Sequence, residues 1–311
     1  MRIAVFSCLG LGDGLISLIL SNNLAKNHCE VDTFHPSLHS LQAWFPHLPL
    51  KSFPSEEKIE EVLALYDRFF LFYEKSDWMF KILDWCQKKA PQKLTVLNPI
   101  ATPNCDYPYW EGGKFDGRLT FVENLVNFCR HSLQLHNATD SNGITPLADV
   151  VFQRYPKRIV LHPTSSKEEK NWPWKRFEIL ANRLEKSGFE PWFVLSPAEK
   201  IQFPACRSPS TKNLSELAHF VAESGGMIGN DSGIGHLASC LGLPSVTISR
   251  NKQQSSFWRP GWAPTNTLTP PSWIPNLKFI RLRDKYWKYL ISVKEVQRVF
   301  TKLYHGLNPF C

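Results

Sequence analysis

The chain has 311 residues, which at ~150 residues per domain suggests two domains, each long enough to bury a core. Its 43% hydrophobic and 21% charged residues, spread along the whole length, exclude disordered and fibrous classes, and no run approaches the ~18 uninterrupted apolar residues of a membrane-spanning helix. The net charge of +8 is unevenly divided: 14 basic and 17 acidic residues precede Tyr155, and 22 basic and 11 acidic follow from there, so the second half is built for an anion.

Residues 1–20 have the outline of a signal peptide, but Asp13 interrupts the apolar region and no small-residue cleavage site follows, so they read as strand, loop and helix. Apolar runs then alternate with amphipathic segments. Strands are predicted at 2–7, 30–34, 68–72 and 93–97, and helices at 14–26, 38–45, 56–65, 78–89 and 119–133. The stretch 98–117 is rich in Pro, Tyr, Asn and Gly and reads as a long functional loop. Turn residues then dominate, and a linker is placed at 141–156 between a first domain at 1–140 and a second at 157–311. Beyond it, strands are predicted at 158–162, 190–195, 226–229 and 245–249, and helices at 174–187, 214–224, 233–241 and 292–303. This βαβα rhythm, run twice, predicts an α/β protein of two doubly wound parallel sheets. The eight cysteines are scattered with no CxxC pair, which fits reduced thiols in a cytosolic protein rather than a zinc site or disulfide framework. The 11 tryptophans suit either core or sugar-stacking surfaces.

Parallel sheets bind ligands beyond the carboxyl ends of their strands, so three loops carry the chemistry. The first runs from Cys8 to Gly14. Gly10 and Gly12 suggest a dinucleotide fingerprint with Asp32 as the ribose acid, but Leu15 occupies the third glycine position and Asp13 would put a carboxylate beside the pyrophosphate. Asp13 instead reads either as a helix cap or as a general base that glycines make accessible. The second loop runs from His162 to Pro173, and its Thr164, Ser165, Ser166, Lys167 and Lys170 all donate to phosphate oxygens. Lys167, Glu168 and Glu169 also suit a solvated surface; Lys170, beside Trp172 and Pro173, reads as a ligand group. In the third loop, from Gly229 to His236, Asn230 or Asp231 with Ser232 can cap the helix that follows. The free amides of its first turn offer an anion site, and His236 lies one turn in.

With these loops in this order, the sequence resembles glycosyltransferase family 9, the heptosyltransferases. The likeness rests on Leu11-Gly-Asp-Gly14, on Lys170-Asn-Trp-Pro173 followed by Arg176-Phe177, and on Asp231-Ser-Gly-Ile-Gly-His-Leu-Ala238 followed by Leu241-Gly-Leu-Pro244. Two positions depart from the family: Gly14 stands where an aliphatic residue is usual, and Ser17-Leu-Ile replaces a common Thr-Pro. The resemblance implies a GT-B fold, two Rossmann-like domains facing a central cleft, the first binding acceptor and the second nucleotide sugar. It further implies inverting, metal-independent transfer of heptose from ADP-heptose, with no cofactor, to a lipopolysaccharide inner-core or lipid A-linked acceptor. Carried over by position, Asp13 would be the base, flanked on the acceptor side by Gly10, Gly12 and Gly14, and Lys170 would steady the departing diphosphate. Ser165 and Ser166 would touch phosphate, Asp231, Ser232, Gly233 and His236 would hold sugar and phosphates, and Glu199 would approach the nucleotide ribose.

The expected setting is cytoplasmic, at the inner face of the inner membrane. Tyr286, Trp287 and the basic run Arg281-Leu-Arg-Asp-Lys285 are candidates for peripheral contact with anionic lipid, or are an ordinary solvated surface. Nucleic acid is not expected as partner, since no zinc spacing, aromatic RNP-like strand or helix-turn-helix pattern occurs. The alternatives are an enzyme of the same architecture using another nucleotide sugar, as a UDP-sugar transferase or epimerase, and a non-catalytic nucleotide-sugar-binding homologue.

Overall fold

The computed structural model describes residues 1–98, 115–203, 206–276 and 279–307. The chain divides into two compact units, Met1–Thr145 and Pro146–Cys311.

The first unit begins with β1 (Arg2–Phe6), α1 (Leu11–Lys26), β2 (Glu30–Phe34), β3 (Leu50–Lys51) and α2 (Ile59–Leu63), and continues with β4 (Arg68–Phe72), α3 (Asp77–Lys89), β5 (Leu94–Leu97) and α4 (Phe121–Asn127). All strands run parallel in the order β3-β2-β1-β4-β5. Ile3 of β1 faces Val31 on one side and Arg68 on the other. β1 is buried from Ile3 onward, as a strand covered on both faces must be, and its Phe6 stacks on Phe34 at 4.8 Å. Helix α1 is buried on nearly every side, and its Asn22 and Asn23 donate side-chain N–H groups to the Ser141 and Thr139 carbonyls. Ser76 caps α3 by accepting from the Met79 amide, and Thr120 with Glu123 forms a capping box on α4.

The second unit contains β6 (Tyr155–His162), α5 (Trp174–Lys186), β7 (Glu190–Phe193), α6 (Pro197–Gln202), α7 (Leu214–Ala222) and β8 (Ser224–Asn230). After these come α8 (Gly233–Cys240), β9 (Ser245–Ile248), α9 (Lys252–Trp258), β10 (Thr265–Leu268), α10 (Leu282–Leu290) and α11 (Val293–Leu307). Its parallel sheet is ordered β10-β9-β8-β6-β7. The pairing of β6 with β8 shifts register between Tyr155 and Ile159, where Gly225 lies so close to the Pro156 carbonyl that a Cβ there would overlap it. Trp172, Phe177, Leu180, Ile228, Trp287, Val296 and Phe300 share one core, so α10 and α11 pack with α5 on the sheet.

Several sequence expectations change in detail. The helix expected at 38–45 is a 3₁₀ segment, Leu38–Trp44; the one at 56–65 is a 3₁₀ turn leading into the five-residue α2; and the one at 119–133 ends in a π-turn, Phe128–Ser132. The last helix continues past 303 to Leu307. Trp287 is a core residue at 3% exposure, which removes it as a lipid contact, whereas Tyr286 is exposed. Among the described residues, no helix is long and apolar enough to cross a membrane.

Candidate active site

In each unit, the two strands that meet at the topological switch point are adjacent in the sheet but separated in sequence: β1 and β4 in the first, β6 and β8 in the second. Ligands of doubly wound sheets bind outside the carboxyl ends at such points. The first loop follows β1; the second and third follow β6 and β8.

In the first unit α1 begins at Leu11, earlier than expected, with Gly10 at the N-cap position in extended conformation. Asp13 is therefore the third residue of the helix and not its cap. Its carboxylate folds back over Gly10, so that any Cβ at Gly10 would collide with Asp13 Oδ2. A negative charge in this first turn is favourable to the helix dipole. Gly12 and Gly14 are buried, and Gly14 lies against the His35 ring. Across the switch point, the carboxylate of Glu74, which follows β4, accepts from the Leu9 amide at 2.9 Å. Asp32 has no part in this loop: it is buried, and its Oδ2 accepts from the Tyr66 hydroxyl at 2.6 Å and from Lys51 Nζ at 2.8 Å. The dinucleotide reading of Asp32 is thereby closed. Of the acceptor candidates at 98–117, residues 99–114 lie outside the described residues.

In the second unit Asn230, expected to cap a helix, is the buried last residue of β8. Its Oδ1 accepts from the Trp172 amide at 3.0 Å and its Nδ2 donates to the Pro163 carbonyl at 2.5 Å. One side chain thus holds both ends of the second loop. Within that loop the Ser165 hydroxyl lies 2.7 Å from Asn171 Oδ1 and 3.0 Å from the Lys167 carbonyl, so it braces the turn, whereas Ser166 is exposed. Lys167, Glu168 and Glu169 are exposed and Lys170 is half-buried, on a 3₁₀ turn. Three bonds from the chain's last third steady this arrangement: Lys288 Nζ to the Glu168 carbonyl, and Trp172 Nε1 and Arg176 to the Ile291 carbonyl.

Ser232 occupies the N-cap of α8, but its hydroxyl caps nothing. Ser232 Oγ and His236 Nδ1, one turn in, are buried polar atoms without a hydrogen-bond partner, placed where the first-turn amides of α8 begin. Burial lowers His236 to about 4 and likewise lowers His162, whose Nδ1 lies 2.9 Å from the Val194 carbonyl and so carries the proton. Asp231 is pushed up by burial, against the pull of the Lys170 charge. Lys170 and Asp231 line one pocket of about 300 Å³ with Lys167, Arg250, Asn251 and Asp284. The sequence reading missed the last three, which follow β9 or sit on α10; that Arg250 and Asn251 lie beyond a carboxyl strand end was the available signal. Glu199 lies in the first turn of α6 beyond β7, where a capping box takes one carboxylate oxygen: Oε2 accepts from the Ser196 amide at 2.6 Å. Its burial raises the pKa, but hydrogen bonding, the Ser196 amide foremost, outweighs it and leaves the carboxyl lowered.

The pocket sets three cations, Lys167, Lys170 and Arg250, beside three carboxylates, Glu169, Asp231 and Asp284, and suits a ligand that carries both phosphate and hydroxyl groups. A sequence model of the family described as glycosyltransferase family 9 (heptosyltransferase) matches residues 131–269, which hold both loops of this pocket. Residues 131–269 are thus similar in sequence to glycosyltransferase family 9. The enzyme class that the resemblance implied, a glycosyltransferase, stands on that match. No curated protein sequence matches the chain. Among solved structures, a family 9 glycosyl transferase from Veillonella parvula is 19% identical with a TM-score of 0.70, covering 98% of this chain and 97% of its own. E. coli ADP-heptose LPS heptosyltransferase II is 15% identical with a TM-score of 0.67, covering 99% and 100%. The E. coli heptosyltransferase WaaC with ADP is 12% identical with a TM-score of 0.66, covering 97% and 99%. At these identities the likeness speaks for the fold, and the fold is the GT-B type of these glycosyltransferases. The loop of Asp13 lies outside the stretch matched in sequence.

Proposed function

We propose that this glycosyltransferase moves a heptose from ADP-heptose to a lipopolysaccharide inner-core acceptor, with inversion and without a divalent metal or other cofactor. The observation that carries the reading is the meeting of Lys167, Lys170 and Arg250 with Asp231 at one pocket, all four inside the family-matched stretch. That fold neighbours are described as an ADP-heptose heptosyltransferase and as a heptosyltransferase holding ADP favours ADP over other nucleotides.

In this reading the diphosphate lies against Lys170, Ser166 and the amides from Gly233, with Ser232 and His236 turned to ligand oxygens. Ser165 supports the loop from beneath, Asp231 meets the sugar, and Glu199 faces the ribose. An acceptor hydroxyl gives its proton to Asp13 as its oxygen attacks the anomeric carbon from the side opposite the diphosphate, and the leaving charge is taken up by Lys170. General-base assistance supplies roughly 10² to 10⁴ in rate, and fixed charges at the leaving group contribute at least as much. Those fixed cations do the work that a bound divalent ion does in other transferases. The exposed aromatics Trp273 and Phe279, followed by Arg281 and Lys285, suit peripheral contact with an anionic bilayer, which would place the enzyme at the cytoplasmic face where such an acceptor is built.

Calorimetry with ADP against UDP, followed by product analysis with ADP-heptose and core lipid, tests the donor, and the anomeric configuration of the product tests inversion. Tighter binding of UDP would move the reading to a UDP-sugar enzyme; ADP-heptose binding without product would make the protein a binder. Asp13→Asn is expected to abolish transfer while ADP binding persists, and an active, folded Asn variant would remove Asp13 from the scheme. Lys170→Ala is expected to weaken both ADP binding and turnover, and unchanged kinetics would remove Lys170.

A further inference from the structure

His35 follows β2 and is fully buried. Its Nδ1 lies 3.1 Å from the Ser37 amide and 3.2 Å from the Leu38 amide; both are donors, so Nδ1 is an acceptor and the ring proton sits on Nε2. Nε2 lies 3.2 Å from the Gly10 carbonyl and donates to it. The same carbonyl receives the Gly14 amide at 2.9 Å, the first bond of α1.

Two glycines permit this contact. A Cβ at Gly14 would stand 2.6 Å from His35 Cδ2 and 2.8 Å from Nε2, inside the ring's contact distance, which accounts for glycine where the family usually has an aliphatic residue. On its other side Gly10 is covered by the Asp13 carboxylate, which a Cβ would displace. The Gly10 peptide is therefore held between the His35 ring and the Asp13 side chain. Released from His35, the Gly10 carbonyl keeps only the Gly14 amide, so its peptide loses one of two restraints and the surface on which Asp13 rests is held less firmly.

We propose that His35 is a positioning residue for Asp13: by donating to the Gly10 carbonyl it fixes the turn against which the Asp13 carboxylate packs. The proposal rests on Asp13 being the base. His35 touches no substrate and acts only through Gly10.

Amide side chains separate the two ring functions. His35→Asn keeps an acceptor for the Ser37 and Leu38 amides but does not reach Gly10, whereas His35→Gln restores a donor at the Nε2 position. With ADP-heptose and core lipid as substrates, His35→Asn is expected to lose about 10- to 100-fold in kcat, the scale of a small misplacement of a reacting group, with ADP affinity unchanged. His35→Gln is expected to recover most of the loss, and Gly14→Ala, which pushes the ring away, to resemble His35→Asn. A carbonyl-labelled Asp13 followed by NMR supplies a readout independent of turnover: its titration midpoint should move in His35→Asn and stay in His35→Gln. An unmoved midpoint in both variants, or a loss of kcat that follows melting temperature and is not rescued by Gln, overturns the proposal. Asp13→Asn is measured alongside. If that variant turns over normally, or the wild type does not use this donor, the mechanistic reading fails and the midpoint alone decides whether His35 positions Asp13.

Discussion

Asn230 shows how one side chain converts two sequence motifs into one site. It stands where a helix cap was expected, yet its backbone ends a strand, and its amide bridges the Pro163 carbonyl and the Trp172 amide. Cap and strand end differ only in backbone dihedrals and partner, neither of which is written in the letters Gly-Asn-Asp-Ser. Truncation to Ala orphans two buried backbone groups, at roughly 1–3 kcal/mol each. Asn230→Ala should therefore lower stability by roughly 2–6 kcal/mol in urea unfolding and weaken ADP binding, because the Lys170 loop loses the side chain that ties its two ends. A variant that is destabilised yet binds ADP normally would show that the loop is held by α10 and Ile291 instead. At this scale the sequence singled out Lys170 and Asp231, which the fold brings to one pocket, because charged side chains are visible by type. It could not identify supports such as His35 and Asn230, whose role depends on a backbone group brought near by folding.

Strands and helices with a full apolar period were readable: β2 and β4 match their expected spans, and α5 ends one residue short of its own. Elements without one were not. β3 is two residues long, β10 is the polar Thr265–Leu268, α6 is a six-residue capping-box turn, and the polar α9 and α10 fall in a stretch of loosened pattern. Each is defined by what it packs on, and α10 was missed although its Trp287 is buried in the core and its Asp284 lines the pocket. The same dependence governs β8, expected only over 226–229 with Ser224 given to the preceding helix, whose Ser224-Gly-Gly opening lies fully buried beside β6. Gly225 is required there because the Pro156 carbonyl occupies the place of its side chain, and a backbone atom in a central strand cannot step aside. Gly225→Ala is expected to cost at least the ~3 kcal/mol at the upper end of ordinary overpacking, or to prevent soluble expression. Gly117→Ala, with nothing within 4 Å of the added methyl, should be silent and serves as its control. Equal stability of the two variants would show that the β6–β8 register relaxes around the methyl.

Across the whole chain, the excess of positive charge in the second half is only partly explained by Lys167, Lys170 and Arg250 at the pocket; most of its 22 cations lie elsewhere. A different set of groups governs how stability responds to pH. His35 in the first unit and His236 in the second are each lowered by burial from 6.5 to about 4, and His162 is lowered in the same sense. Between pH 6.5 and 4 the unfolded chain binds protons at these sites while the folded chain does not, so stability is full above about 6.5 and declines as pH falls toward 4. A shift of this size corresponds to roughly 3 kcal/mol for each of His35 and His236 by the lower limit. Glu199, held below its ordinary value, adds a loss only below about 4.5, and Asp231, raised by burial, opposes the trend near its own midpoint. The histidines therefore dominate from pH 6.5 down to about 5. Urea midpoints measured at pH 7.5, 6 and 5 should fall steadily, in both units, with no change at higher pH. His35→Gln, which cannot take up a proton, should flatten the decline of the first unit and leave that of the second intact. A midpoint independent of pH across this range would mean that these rings are protonated as readily in the folded chain as in the unfolded one, and that the neutral Nε2–H form of His35 is not what holds Gly10.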